Sequence, residues 1–121
     1  MDDRQAVRCY AGARVALGAG LMVAPAVLKA WIGEVARRPG TKVLARSFGA
    51  RDAALGLGAL LALREGAPAR RWVQLAAAVD AADALTSLLG ARQLTLRRSL
   101  PAAAAGAAGA AAGAWLSGRL R

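Results

Sequence analysis

The sequence predicts an all-α protein, a transmembrane four-helix up-down bundle that makes one membrane domain over residues 1–121. Three observations predict it. Four apolar blocks, at about 11–28, 43–63, 72–90 and 100–117, each approach the roughly 20 residues a helix needs to cross the hydrocarbon core. The connections between them are short and arginine-bearing, as antiparallel neighbours require. Apolar residue types make up 57% of the chain and aromatic ones only 4%, yet its formal net charge is +10. A bilayer accommodates both the apolar excess and the basic loops.

The first block, 11–28, follows Arg4 and Arg8 and contains Ala24-Pro25-Ala26, a small-x-small pattern like that of a signal-peptide cleavage site. Arg14 interrupts the apolar run, and Asp2 and Asp3 cancel the charge ahead of it, so a retained helix is the expectation. Pro25 is expected to kink or end it. Pro39-Gly40 and Gly66-Ala67-Pro68 mark the first two turns, and Pro101 is read as a first-turn proline of the fourth helix. That fourth helix is low in complexity and only marginally hydrophobic, because alanine contributes little transfer energy. Its Gly109 and Gly113 form a G-x-x-x-G pair with Gly106 close by, a surface for helix packing inside the bundle or along a homodimer seam.

Trp31, Trp72 and Trp115 fall near the span ends, where indole rings favour the membrane interface. Orientation has no such signal. The N-terminus, second loop and C-terminus carry Arg4, Arg8, Arg64, Arg70, Arg71, Arg119 and Arg121, against Lys29, Arg37, Arg38, Lys42, Arg92, Arg97 and Arg98 in the first and third loops. Seven against seven leaves insertion in both orientations open.

The charges inside the apolar blocks carry most of the chemical information. These are Arg14, Arg46, Arg51, Asp52, Asp80 and Asp83. A central Asp or Arg costs about 2.5–3.5 kcal/mol on the insertion scale, whereas each large aliphatic residue recovers only about 0.3–0.6 kcal/mol. The third block, with two aspartates, therefore needs compensation by partners, protonation or a water-filled cavity. Ala76, Asp80, Asp83 and Ser87 share one helical stripe, which should face the interior. Arg51 and Asp52 point about 100° apart, so one should address the third helix and the other the first. The expected pairs are Arg51 with Asp80 or Asp83, and Arg14 with Asp52, while Arg46 sits near enough to a span end to snorkel. Such a network is either a polar pocket or a set of ion pairs that fixes helix register.

Several function classes fall away. The arginines punctuate apolar segments and do not line one helix face, and stacking aromatics are scarce, which argues against nucleic acid. The chain has no histidine and one cysteine, Cys9, so an intrachain disulfide is excluded and the familiar Cys/His metal spacings are absent. No base lies beside Cys9 in sequence, so it is read as a lone interfacial thiol.

The stretches Arg46-Ser-Phe-Gly-Ala-Arg-Asp-Ala-Ala-Leu-Gly56 and Trp72-Val-Gln-Leu-Ala-Ala-Ala-Val-Asp80-Ala-Ala-Asp83, with Trp31-Ile-Gly33, resemble the DoxX-like group of small four-helix membrane proteins. The likeness runs from about Val7 to Ser117. It implies a four-helix membrane architecture and assigns no role to individual positions. The redox associations of that group do not carry over to a chain with one cysteine and no visible haem or quinone motif.

The resulting expectation is a multi-pass protein of the cell membrane, without cofactor, that recognises a lipid, a small molecule or a partner membrane protein through its Arg/Asp interior. A homodimer is one form of that last case. The alternatives are a small membrane enzyme or proton-coupled carrier using Asp52, Asp80 and Asp83, and a soluble alanine-rich helical bundle.

Overall fold

A computed structural model describes residues 1–90 and 96–120. Every regular element among them is helical. The first helix, α1 (Asp3–Val23), opens on a capping box in which the Asp2 carboxylate accepts from the Gln5 backbone at 2.7 Å and the Gln5 side chain accepts from the Asp2 backbone at 3.2 Å. This D-x-x-Q signature starts the helix roughly two turns ahead of the apolar block. Pro25 ends it: α1 stops at Val23, and a 3-10 turn (Pro25–Leu28) takes over. The short helix α2 (Lys29–Ile32) and a second 3-10 turn (Gly33–Arg37) complete the connection. Gly33 supplies the positive φ of 70° at which L side chains are strained.

Helix α3 (Pro39–Arg64) starts at Pro39, so Pro39-Gly40 opens a helix and does not form a turn. Gly66, at φ 69°, reverses the chain into α4 (Arg70–Leu89). The expected third loop, including Arg92, lies largely outside the described residues, as does Arg121. Helix α5 (Leu96–Arg119) carries Pro101 in its interior and not in its first turn.

Contacts fix the directions of the four long helices. Gly18 of α1 meets Gly49 and Ala53 of α3, whereas Ala11 and Val15 meet Gly56, so these two run antiparallel. Helices α4 and α5 do the same, with Gly106 against Ala84 and Gly113 against Ala77. Helix α3 touches α4 where Gly58 meets Trp72 and Arg51 meets Asp83, and α1 touches α5 where Asp3 meets Arg119. Packing along α1/α3 and α4/α5 is extensive and that along α3/α4 is sparser.

The α1/α3 pair is laced at both ends. Arg4 donates to the Leu63 carbonyl at 2.9 Å, and Arg46 donates to the Met22 carbonyl at 3.2 Å. Each helix thus supplies an arginine to the final turn of the other, where carbonyls lack an intrahelical donor and the dipole favours a cation. One end of the molecule gathers the α1 N-terminus, the α3–α4 turn and the α5 C-terminus. Its core is formed by Val7, Ala11, Ala59, Val73 and Leu116 with their buried neighbours. Trp72 and Trp115 lie toward this end and Trp31 toward the other. Small residues dominate the interior, while large aliphatic side chains on all four long helices face outward, among them Leu17 at 67% and Leu89 at 69% exposure.

Candidate functional site

At mid-height the apolar interior gives way to five charges. Arg14 of α1 is only 7% exposed and Asp80 of α4 only 9%. The Arg14 guanidinium makes a two-pronged contact with the Asp80 carboxylate, Nη1 to Oδ2 at 2.6 Å and Nη2 to Oδ1 at 3.0 Å. The same Nη2 donates to Asp52 Oδ1 at 2.9 Å, so one arginine joins α1, α3 and α4. Arg51 grips Asp83 in the same fork, at 2.6 and 3.2 Å, and reaches Asp52 Oδ1 at 3.5 Å. The result is a continuous chain Asp80–Arg14–Asp52–Arg51–Asp83. Charge-assisted, two-pronged pairs of this kind hold both partners in fixed orientation.

Aromatic and small residues shape its walls. Tyr10 Oη accepts from Arg14 at 3.3 Å and its ring lies 5.7 Å from that guanidinium, while Phe48 lies 5.1 Å from that of Arg51. Gly109 of α5 faces Asp80, where a Cβ would collide with Oδ2. Gly106 and Gly113 pack on Ala84 and Ala77 in the same way. The glycine face of α5 is therefore covered by α4 within the molecule.

Of the seven polar residues singled out from the sequence, five meet here and two do not. Arg46 is exposed and serves the Met22 carbonyl, five positions before Arg51 and so turned well away from it around the helix. Ser87 is half-buried one turn beyond Asp83 and hydrogen-bonds to none of the five charges. Asp80 pairs with Arg14, not with Arg51. Losing Arg46 changes the balance: two guanidiniums now face three carboxylates, and the formal charge of the cluster is −1, not zero.

No known protein family, curated protein or solved structure matches this chain.

Two donors in the cluster stand out, for the Nε–H groups of Arg14 and Arg51 are buried and have no acceptor among the described residues. A buried donor left without an acceptor costs about 1–3 kcal/mol, more when charged. Tyr10 and Phe48 were missed in the sequence, although each lies on its arginine's helix at a separation of four and three, which places it on the same face. Gly18, Gly49 and Gly56 were missed too. Their signal is the seven-residue spacing of Ala11 with Gly18 and of Gly49 with Gly56, two turns apart on one face. Among the described residues no group of His, Cys, Asp and Glu side chains is placed to hold a metal ion, and Cys9 is exposed.

Proposed function

We propose that the chain is a multi-pass membrane protein, a transmembrane four-helix up-down bundle of the DoxX-like kind, that binds a small polar molecule or lipid headgroup in its Arg/Asp interior. The observation that carries the reading is the inversion of polarity. Five charges lie inside, and large apolar side chains lie outside on every long helix, among them Leu17, Leu61, Leu89 and Trp115. Water-soluble domains of this size rarely expose apolar surface so continuously. In lipid the same arrangement places each side chain where its transfer energy is favourable.

Among the described residues only α1 is both long and apolar enough to cross a bilayer by its own composition. The other three long helices are expected to insert as members of the bundle: the aspartates of α3 and α4 are paired with Arg51 of α3 and Arg14 of α1, and α5 brings alanine and glycine. The likeness to the DoxX-like group gains a physical meaning from the same cluster. Of the five charged positions in its two motifs, Arg51, Asp52, Asp80 and Asp83 are network members and Arg46 is not.

Binding is favoured over pure scaffolding by the two unpaired Nε–H donors, which a ligand acceptor would satisfy. The excess carboxylate supports a second reading, a small membrane enzyme or proton-coupled carrier that uses Asp52, Asp80 and Asp83.

The test has two parts. Carbonate-washed membranes should retain the chain, and its release would refute the membrane reading. Native mass spectrometry of the purified protein should then show a co-purifying mass that is lost in Asp80→Asn. A clean protein mass from a folded wild type would leave the cluster as a register-fixing network only.

A further inference from the structure

A second surface lies apart from the charged interior. Where α3 and α4 approach the turn between them, sparse packing leaves an open groove of about 410 Å³. This falls within the roughly 300–1,000 Å³ of small-molecule sites. Its walls are apolar: Ala54, Leu57 and Leu61 along α3, and the Trp72 ring, which lies so close over Gly58 that a Cβ there would overlap it. Such a trough is open along its length to whatever surrounds the helices, and Glu65 and Ala67 line its end at the turn.

The chain at that end is basic. Arg64 immediately precedes Glu65, and Arg70 and Arg71 immediately precede Trp72. All three arginines are exposed, and none is paired with a described carboxylate. Among the described residues Glu65 is the one charged residue that lines the groove. The three arginines lie outside its lining, next in sequence to Glu65 and Trp72, and against Glu65 they leave a formal excess of +2 at that turn of the chain. An occupant must therefore combine a long apolar segment with an anionic end, and it must enter sideways from the helix surroundings. We propose that the α3–α4 groove is a binding site for a phospholipid with an anionic headgroup, one acyl chain along Leu57 and Leu61 and the phosphate group among Arg64, Arg70 and Arg71. The site rests on the membrane reading, because only a bilayer presents such a molecule from the side. Trp72 sits at the level where chain meets headgroup, the depth that indole prefers.

Trp72 makes the site measurable. In vesicles, the Trp31→Phe/Trp115→Phe variant retains Trp72 as its one indole and is titrated with phosphatidylglycerol or phosphatidylcholine carrying the same brominated acyl chains. Phosphatidylglycerol should quench Trp72 at lower mole fraction, and the preference should fall by about fivefold for each arginine removed in Arg64→Ser, Arg70→Ser and Arg71→Ser. Native mass spectrometry of the unaltered chain, showing retained phosphatidylglycerol in preference to phosphatidylcholine, is the second readout. Equal quenching by both lipids overturns the site and leaves the membrane reading intact. So does a preference that survives loss of all three arginines. Chain that floats with vesicles yet shows no quenching has its groove covered by a second copy, which also overturns the site; chain that does not float overturns the membrane reading itself.

Discussion

Arg14 answers carboxylates from two other helices with one guanidinium, and the consequences of removing it follow from what remains. Arg14→Met leaves Asp80, 9% exposed, without a cation, and breaking one partner out of a buried pair costs about 3–5 kcal/mol. Asp52 fares better, since Arg51 still stands 3.5 Å away. Replacing both members of the closest pair, Arg14→Met with Asp80→Leu, removes the uncompensated charge, so the double variant should melt above Arg14→Met alone when helical circular dichroism is followed in detergent. Additive losses would show that Asp80 does not depend on Arg14. The sequence conveys the charge inventory and the 100° between Arg51 and Asp52, because both follow from helical geometry. It does not convey that Asp80 faces Arg14, because that depends on how four helices are ordered around a ring. Nor does it place Arg46, whose partner is a backbone carbonyl that carries no sequence signature.

Glycine does for the elements what the ion pairs do for the centre, by letting backbones meet. At Gly18 and Gly49 each glycine faces the other's carbonyl oxygen, and at Gly56 an added Cβ would meet the Ala11 carbonyl. Gly12 and Gly20 have open space around the position of a Cβ. Gly49→Leu should therefore separate α1 from α3 and cost at least the roughly 1–3 kcal/mol of an overpacked core, whereas Gly12→Ala and Gly20→Ala should be neutral or gain up to about 1 kcal/mol of helix propensity. Thermal melting of the three variants in one detergent checks this. Equal effects at Gly12 and Gly49 would mean that the α1/α3 contact is not close. Helix existence was legible because four apolar blocks are long. Helix limits were not, since α1 is started by Asp2 and Gln5 outside its apolar block and α5 continues through Pro101.

For the whole molecule, the antiparallel order sorts the basic residues onto two ends. Arg4, Arg8, Arg64, Arg70, Arg71 and Arg119 belong to elements at the end holding the termini, and Lys29, Arg37, Arg38, Lys42 and Arg97 to elements at the other. All-α character was legible from composition and block length; the four spans were read from those same blocks, and among the described residues α1 alone is long and apolar enough to cross a bilayer by itself. Nothing in the charges separates the two ends strongly, so in a membrane the chain is expected to insert both ways. A cysteine added after the C-terminus in a Cys9→Ser background reports this, since Cys9 is the one competing thiol. A membrane-impermeant maleimide applied to intact cells should label part of the population. Arg37→Ser/Arg38→Ser weakens the far end, so the terminal end should become uniformly cytoplasmic and labelling should fall away, whereas Arg70→Ser/Arg71→Ser should raise it. A wild type that labels as one population, or two variants that shift the same way, would mean that orientation is set by something other than the balance of basic residues.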